Sequence, residues 1–225
     1  MRLATDMDKL PVEHLPFTVR IVKNPNDLQK VADLRQQAYA RHIPKFAQQL
    51  TAPEVADTCP DTYVFLVESK DGAQEGGGRS LGTMRIHINR NHTLPLESTI
   101  QLPEPFQNQT LAEAVRFAII DGQIGQQARN ALFKAFYLMC VALKVEWMVI
   151  CARPPVHKLY LGLLFEDISP DDKPVIMPHI NNIPHRVLCM RVREVESLWY
   201  NAEHPLYQFI FETYHPDIVI TSDDF

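Results

Sequence analysis

Apolar and polar residues alternate over residues 17–23 (FTVRIVK), which puts Phe17, Val19 and Ile21 on one face and predicts a strand. Asn24-Pro25-Asn26-Asp27 follows as a turn with good helix-capping residues. Leu28, Val31, Leu34 and Ala38 then recur at helical spacing, predicting a helix over 28–41. Residues 42–61 show no period and contain Pro44, Pro53 and Pro60, the mark of a lid or substrate-binding segment. TYVFLVE (62–68) and LGTMRIHIN (81–89) predict two strands of a hairpin whose flexible tip is DGAQEGGGR, 71–79. A second long, proline-bearing connection spans 92–110.

LAEAVRFAII (111–120) reads as a buried strand, DGQIGQQ (121–127) as a glycine-containing loop, and 128–144 as a helix apolar nearly all round. Residues 146–152 form an apolar strand. Pro154-Pro155 opens a short helix. Residues 164–168 make a short strand, a proline-rich linker follows, and HRVLCMRV (185–192) is another strand. From Arg193 the chain predicts helix broken at Pro205. The order predicts an α/β fold with a mixed sheet. It divides into an N-terminal arm (1–16), one domain (17–192) and a C-terminal helical extension packed on it (193–225).

At 225 residues the chain can bury a real core without disulfides or metals. Its net charge of −5 argues against non-specific nucleic-acid binding, which needs a basic face. The four cysteines lack a CxxC pair, and three lie in apolar runs, which points to free buried thiols in a reducing, cytoplasmic compartment. The N-terminus lacks the apolar core of a secretory signal, and no apolar run approaches the ~20 residues of an integral membrane segment. Nine histidines form no ligand spacing, so no metal is expected. Ser80, Ser98 and Cys59 lack a nucleophile-elbow context, which excludes a covalent hydrolase.

A strand that ends in a glycine-bearing loop and passes into a long helix exposes unpaired backbone N–H groups, which can hold a phosphate. Gly122-x-x-Gly125 matches neither a Walker A loop nor a dinucleotide fingerprint, so the spacing alone also fits an ordinary strand–helix connection.

Five segments occur in a telling order: Arg35 in VADLRQQAY, the acidic PEVADTCPD before TYVFLV, Arg85 in LGTMRIH, Glu113 and Arg116 in AEAVRFAI, and PPVHKLYLGLLFEDI. In that order, over residues 19–192, the chain resembles the GNAT superfamily of acyltransferases. It is closest to the branch of acyl-homoserine-lactone (autoinducer) synthases and long-chain N-acyl amino acid synthases, which are bacterial. The C-terminal HPLYQFIFETYHPDI also looks like the tail of the second group. The resemblance implies a GNAT-like mixed, mostly antiparallel central sheet flanked by helices. It implies transfer of a medium or long acyl chain from an acyl carrier protein thioester to an amino acid or similar amine, with no tightly bound cofactor beyond the acyl-phosphopantetheine co-substrate. Gln123-x-Gly125 and Arg129 do not reproduce the usual GNAT coenzyme A loop, so a coenzyme A-dependent N-acetyltransferase is the alternative, beside a non-catalytic GNAT-like binding module.

The resemblance assigns catalytic roles to Glu113, Arg116 and Arg85. An α-amino group is mostly protonated near neutral pH, so a base is needed, and Glu113 is the candidate unless it is spent on an ion pair with Arg116. Positions 113 and 116 fall on opposite faces of a regular strand, so both reach one site only if a bulge or splay intervenes. Backbone N–H groups around Phe117, Ala118 and Ile119 are candidate oxyanion donors. Arg35 and Arg85 fit an acceptor carboxylate, or pair with Asp57 and Asp61. Gly122, Gly125, Gln126, Arg129, Lys134, Arg153 and Lys158 form the candidate donor and carrier-protein surface. Residues 123–162 hold five bases against one acid, enough to steer an acidic carrier or to make a solvated rim. Tyr160 stands where GNAT enzymes often carry a tyrosine acid, with packing as its other role. The acyl chain calls for an apolar tunnel between TYVFLV and EWMVICA, and direct transfer without an acyl-enzyme is expected.

Overall fold

The computed structural model describes residues 10–71, 78–168, 173–178, 182–221 and 224. The glycine tip beyond Asp71, most of the N-terminal arm and part of the proline-rich linker lie outside them. β1 (Phe17–Ile21) buries Phe17, Val19 and Ile21 on one face, as the alternation predicts. α1 (Pro25–Ala40) starts one turn earlier than its apolar period, because Pro25 presets the first turn and the Asn24 side chain accepts the Asp27 N–H at 2.9 Å. It lays Val31 on Val64 and Leu66 of β2 (Thr62–Ser69), and β3 (Ser80–Ile88) returns beside β2. The segment between α1 and β2 carries α2 (Pro44–Ala47) and one 3-10 turn, Val55–Thr58.

β4 (Leu111–Ile119) pairs antiparallel with β3. α3 (Gln123–Ala142) follows, then β5 (Trp147–Ala152), α4 (His157–Gly162), the short β6 (Glu166–Asp167) and β7 (Val175–Met177), β8 (Ile183–Arg191) and α5 (Val195–Asn201). The C-terminal segment is not only helical. After one π turn it ends in β9 (Ile218–Val219), which pairs parallel with β1. A two-residue strand has no period to read.

The sheet runs β6-β8-β5-β4-β3-β2-β1-β9, with β7 attached to β8. Among the described strands only the β4–β5 and β1–β9 pairs are parallel, so the sheet is mixed and mostly antiparallel, in GNAT-like order and flanked by helices. α3 covers one face with the main core. The other face is covered by α1 on one half and by the 92–110 connection on the other, through Leu94, Leu96, Leu102 and Phe106. Because β3 and β4 stand between β2 and β5, no tunnel passes between those two strands. The opening lies between β4 and β5, whose pairing ends at Ala114–Ile150 while β4 continues to Ile119. Among the described residues no helix is long and apolar enough to cross a membrane.

The expected loop 121–127 is shorter than its glycines suggest. The helix begins at Gln123, so Gly125 and Gln126 lie in its first turn. Gly125 is needed there because a Cβ would fall 1.9 Å from the Ile120 carbonyl oxygen. Gly122, the N-cap, has φ +89° with open space around it. Gly125→Ala therefore forces backbone apart and costs on the order of 1–3 kcal/mol. Gly122→Ala meets no atom, but φ +89° with ψ −176° is backbone almost confined to glycine, so it too costs about 1–3 kcal/mol. Thermal unfolding should show a lowered midpoint for both variants.

Candidate active site

β3 and β4 pair in register from Ile88–Ala112 to Arg85–Val115, then slip, so that Arg116 and Phe117 together face Met84. This is a bulge, and Arg116 takes φ +53° in it. It lies at Arg116 itself rather than between 113 and 116. The slip turns Arg116 toward the α1 side, where Glu113 already points, and sends Phe117 to the α3 side to stack on Phe133 at 5.6 Å.

On the α1 face five charged groups interlock. Arg35 NH1 donates to both Asp57 oxygens at 2.8 and 2.9 Å. Arg85 NH1 bridges Asp57 and Glu54 at 3.1 Å each. Arg116 forks onto Glu54 through Nε and NH2, both at 2.7 Å. Asp57 is fixed by accepting the Glu54 N–H at 2.8 Å across the 3-10 turn. The Asp57 side chain is 0% exposed and that of Arg35 1%. Burial lowers the Arg35 pKa, and Asp57 opposes this. Burial alone would raise Glu54, but the ion pair with Arg116, with the charges of Arg85 and Arg35, holds it at about 2. Three guanidinium groups thus meet two carboxylates. Arg35 Nε and NH2 and Arg85 Nε are buried without a hydrogen-bond partner among the described residues.

Glu113 takes no part in this ion cluster and is not paired with Arg116. It is 1% exposed and accepts the Leu96 N–H at 2.9 Å from the turn that roofs it. Burial pushes its pKa up to about 7, against the Leu96 N–H, the Cys151 thiol and the charge of Arg85. Its cross-strand neighbour His87 bonds Thr62 Oγ1 through Nδ1 at 2.9 Å, and burial, with Arg85, holds it near 4 and therefore neutral.

The remaining predicted positions divide by place. Asp61 is turned away from the cluster, its carboxylate taken by Asn91 at 2.7 Å. Glu54 of the same acidic segment fills the role instead, a residue whose burial only the fold reveals. Ala118 lies opposite Thr83, and the Ile119 carbonyl accepts from Arg41 NH2 at 2.7 Å. Arg41, which also pairs with Asp121, ties the end of α1 to the strand end. Gly122 and Gln126 are exposed at the α3 N-terminus, where the first turn has no side-chain cap and no acid. Arg129 and Arg153 are half-buried and Lys158 exposed. Lys134 does not belong to this surface. It is buried, donates to the Phe209 and Thr213 carbonyls at 2.8 and 2.5 Å and meets His215 Nδ1 at 2.9 Å, and burial lowers its pKa to about 8. It anchors the C-terminal segment, which the sequence pattern does not disclose. Tyr160 packs edge-on against Phe133 and Phe165. A surface recess of about 720 Å³ beside the 92–110 connection is lined by none of the predicted site residues.

Comparison with known proteins identifies the family and the fold. The family model described as N-acyl amino acid synthase FeeM matches residues 30–190. Among solved structures, FeeM, an N-acyl amino acid synthase from uncultured soil microbes, superposes with a TM-score of 0.62 at 19% identity, covering 86% of this chain and 97% of that one. The coenzyme A-dependent acyl-homoserine lactone synthase BjaI gives 0.54 at 11% identity, covering 91% and 95%. The acyl-homoserine lactone synthase LasI gives 0.52 at 16%, covering 78% and 90%. No curated protein matches by sequence. The family model covers more than half of the chain, so the chain belongs to the FeeM family of N-acyl amino acid synthases, acyltransferases that use an acyl-thioester donor.

Proposed function

We propose that the protein moves a medium or long acyl chain from the phosphopantetheine thioester of an acyl carrier protein to the amino group of an amino acid. The observation that carries this reading is Glu113: a buried carboxyl outside any ion pair with Arg116, on the same sheet face as a cluster with one more guanidinium than carboxylate. An acceptor carboxylate suits that excess charge and the unpartnered N–H groups of Arg35 and Arg85.

The pKa of Glu113 matters quantitatively. An α-ammonium titrates at ~7.7–8.0. Handing its proton to a carboxylate at about 7 is uphill by about one unit, roughly 1.4 kcal/mol. An ordinary glutamate at ~4.3 would make it more than three units, roughly 5 kcal/mol. With its proton gone, the amine nitrogen attacks the thioester carbonyl carbon directly. As the C–S bond breaks, the now cationic nitrogen gives its second proton to the departing thiolate, and Glu113 releases the first to solvent. Past Ala114, β4 has no β5 partner, so its outward backbone N–H groups from Phe117 to Ile119 are oxyanion donors. The uncapped α3 N-terminus suits the phosphopantetheine phosphate, and Arg129, Arg153 and Lys158 suit an acidic carrier. To admit the acyl chain, the packed apolar cluster beneath the 92–110 connection, with Leu96, Val149 and Val187 at 2% exposure or less, must open. Four free cysteines fit a reducing cytoplasm.

Intact-mass analysis of reactions with dodecanoyl carrier protein, dodecanoyl-CoA and acetyl-CoA, each with pooled amino acids, tests this. Deacylation of the carrier with formation of an N-dodecanoyl amino acid is expected. Preference for acetyl-CoA would make the protein an acetyltransferase, and consumption of no thioester would make it a binding module.

A further inference from the structure

Tyr39 lies one helical turn beyond Arg35 on α1, so both side chains lean from one helix face toward the sheet. Two residues further on, the bond from Arg41 to the Ile119 carbonyl holds the end of α1 over the part of β4 that has lost its β5 partner. The Tyr39 ring meets Phe46 edge-on with centroids 5.6 Å apart, and the Arg116 guanidinium lies 5.0 Å from the centroid of the same Phe46 ring. Phe46 therefore gathers the phenol and the bulge arginine into one packed group. Burial raises the Tyr39 pKa, and the charges of Arg116 and Arg35 oppose it. Through Phe46 and Arg116 on one face, and through Phe133 and Phe117 on the other, Tyr39 and Tyr160 flank the stretch of β4 that has no β5 partner. Tyr39 is half-buried, and its hydroxyl is not among the sealed, partnerless polar atoms, so it is open to solvent and to a substrate.

We propose that Tyr39 is a further catalytic residue, whose hydroxyl donates a hydrogen bond to the thioester carbonyl oxygen as that oxygen becomes negative; this rests on the acyl transfer read above. The amine lone pair forms the C–N bond, and the carbonyl π pair moves onto oxygen, where the Tyr39 O–H meets it without giving up its proton. The pair then re-forms the carbonyl, the C–S pair departs on sulfur and takes the second proton of the now cationic nitrogen, and the proton that Glu113 first took from the ammonium returns to solvent. A donor that tightens only as charge develops acts on the transition state and leaves ground-state binding alone.

Tyr39→Phe removes the hydroxyl and keeps the ring against Phe46. With dodecanoyl carrier protein and the amino acid that wild type accepts, kcat should fall about 10²-fold, with KM for the acyl donor unchanged within about threefold and the thermal midpoint preserved. A merely packing Tyr39 predicts that kcat as well as the midpoint stays unchanged, and a Tyr39→Phe kcat within threefold of wild type overturns the proposal while leaving acyl transfer standing. A wild type that consumes no thioester overturns both.

Discussion

Glu113→Gln should lower kcat by about 10²–10⁴-fold, the usual worth of a general base, while the protein stays folded, since the amide oxygen still accepts the Leu96 N–H. In wild type, kcat/KM should climb as pH rises through about 7, where Glu113 loses its proton. Stability moves the other way. The folded carboxyl stays protonated to about 7, whereas in the unfolded chain it ionises near its ordinary value of 4.5. Between those values the folded state binds the extra proton, so raising the pH favours unfolding. The stabilisation is complete below 4.5 and is lost as pH passes about 7. A difference of this size corresponds to roughly 3 kcal/mol, or about 10 °C of melting temperature for a chain of this length. Glu113→Gln does not titrate, so its midpoint relative to wild type should rise between pH 4.5 and 8. A variant more stable at pH 8 and far slower separates the charge that Glu113 buries from the chemistry it performs. An unchanged kcat would remove Glu113 from the base role, and a midpoint difference flat with pH would mean that the carboxyl is ionised throughout.

What the sequence discloses about this site follows from the length scale of each interaction. Phe17, Val19 and Ile21, or Val31 and Leu34, declare their elements because burial on one face imposes a period. The motif arginines 35, 85 and 116 come together as their order implies. Which acid meets which arginine depends on tertiary placement. Asp57 and Asp61 are alike in sequence, yet one is sealed inside the 3-10 turn and the other, at φ +53°, faces Asn91. Glu54 holds the bulge arginine, and no local pattern marks it. The bulge has the same character, since AEAVRFAI gives no hint that two residues will face Met84. Lys134 is the plainest failure of charge counting. Its partners, Phe209, Thr213 and His215, lie more than seventy residues away along the chain.

Asp57→Ala should be the most destabilising single change in the charged cluster. Asp57 supplies the close contacts of Arg35 and shares those of Arg85, and its side chain is fully buried. Without it, three guanidinium groups face one carboxylate, and the nearest acid left to Arg35 is Glu54 at 3.6 Å. Removing one partner of a buried pair costs about 3–5 kcal/mol, because the other charge is left without compensation, which is on the order of 10 °C in melting temperature here. Glu54→Ala should cost less: that side chain is 24% exposed, so water can reach the Arg116 that it leaves. Salt should not restore Asp57→Ala, since buried charges are poorly screened. Replacing the stranded cation as well, in Arg35→Met/Asp57→Ala, should recover part of the loss in stability but not the binding of an amino acid carboxylate. Equal midpoints for Asp57→Ala and Glu54→Ala would show that the cluster is wet, with its positive excess already neutralised by solvent. An acceptor carboxylate would then gain little from binding there.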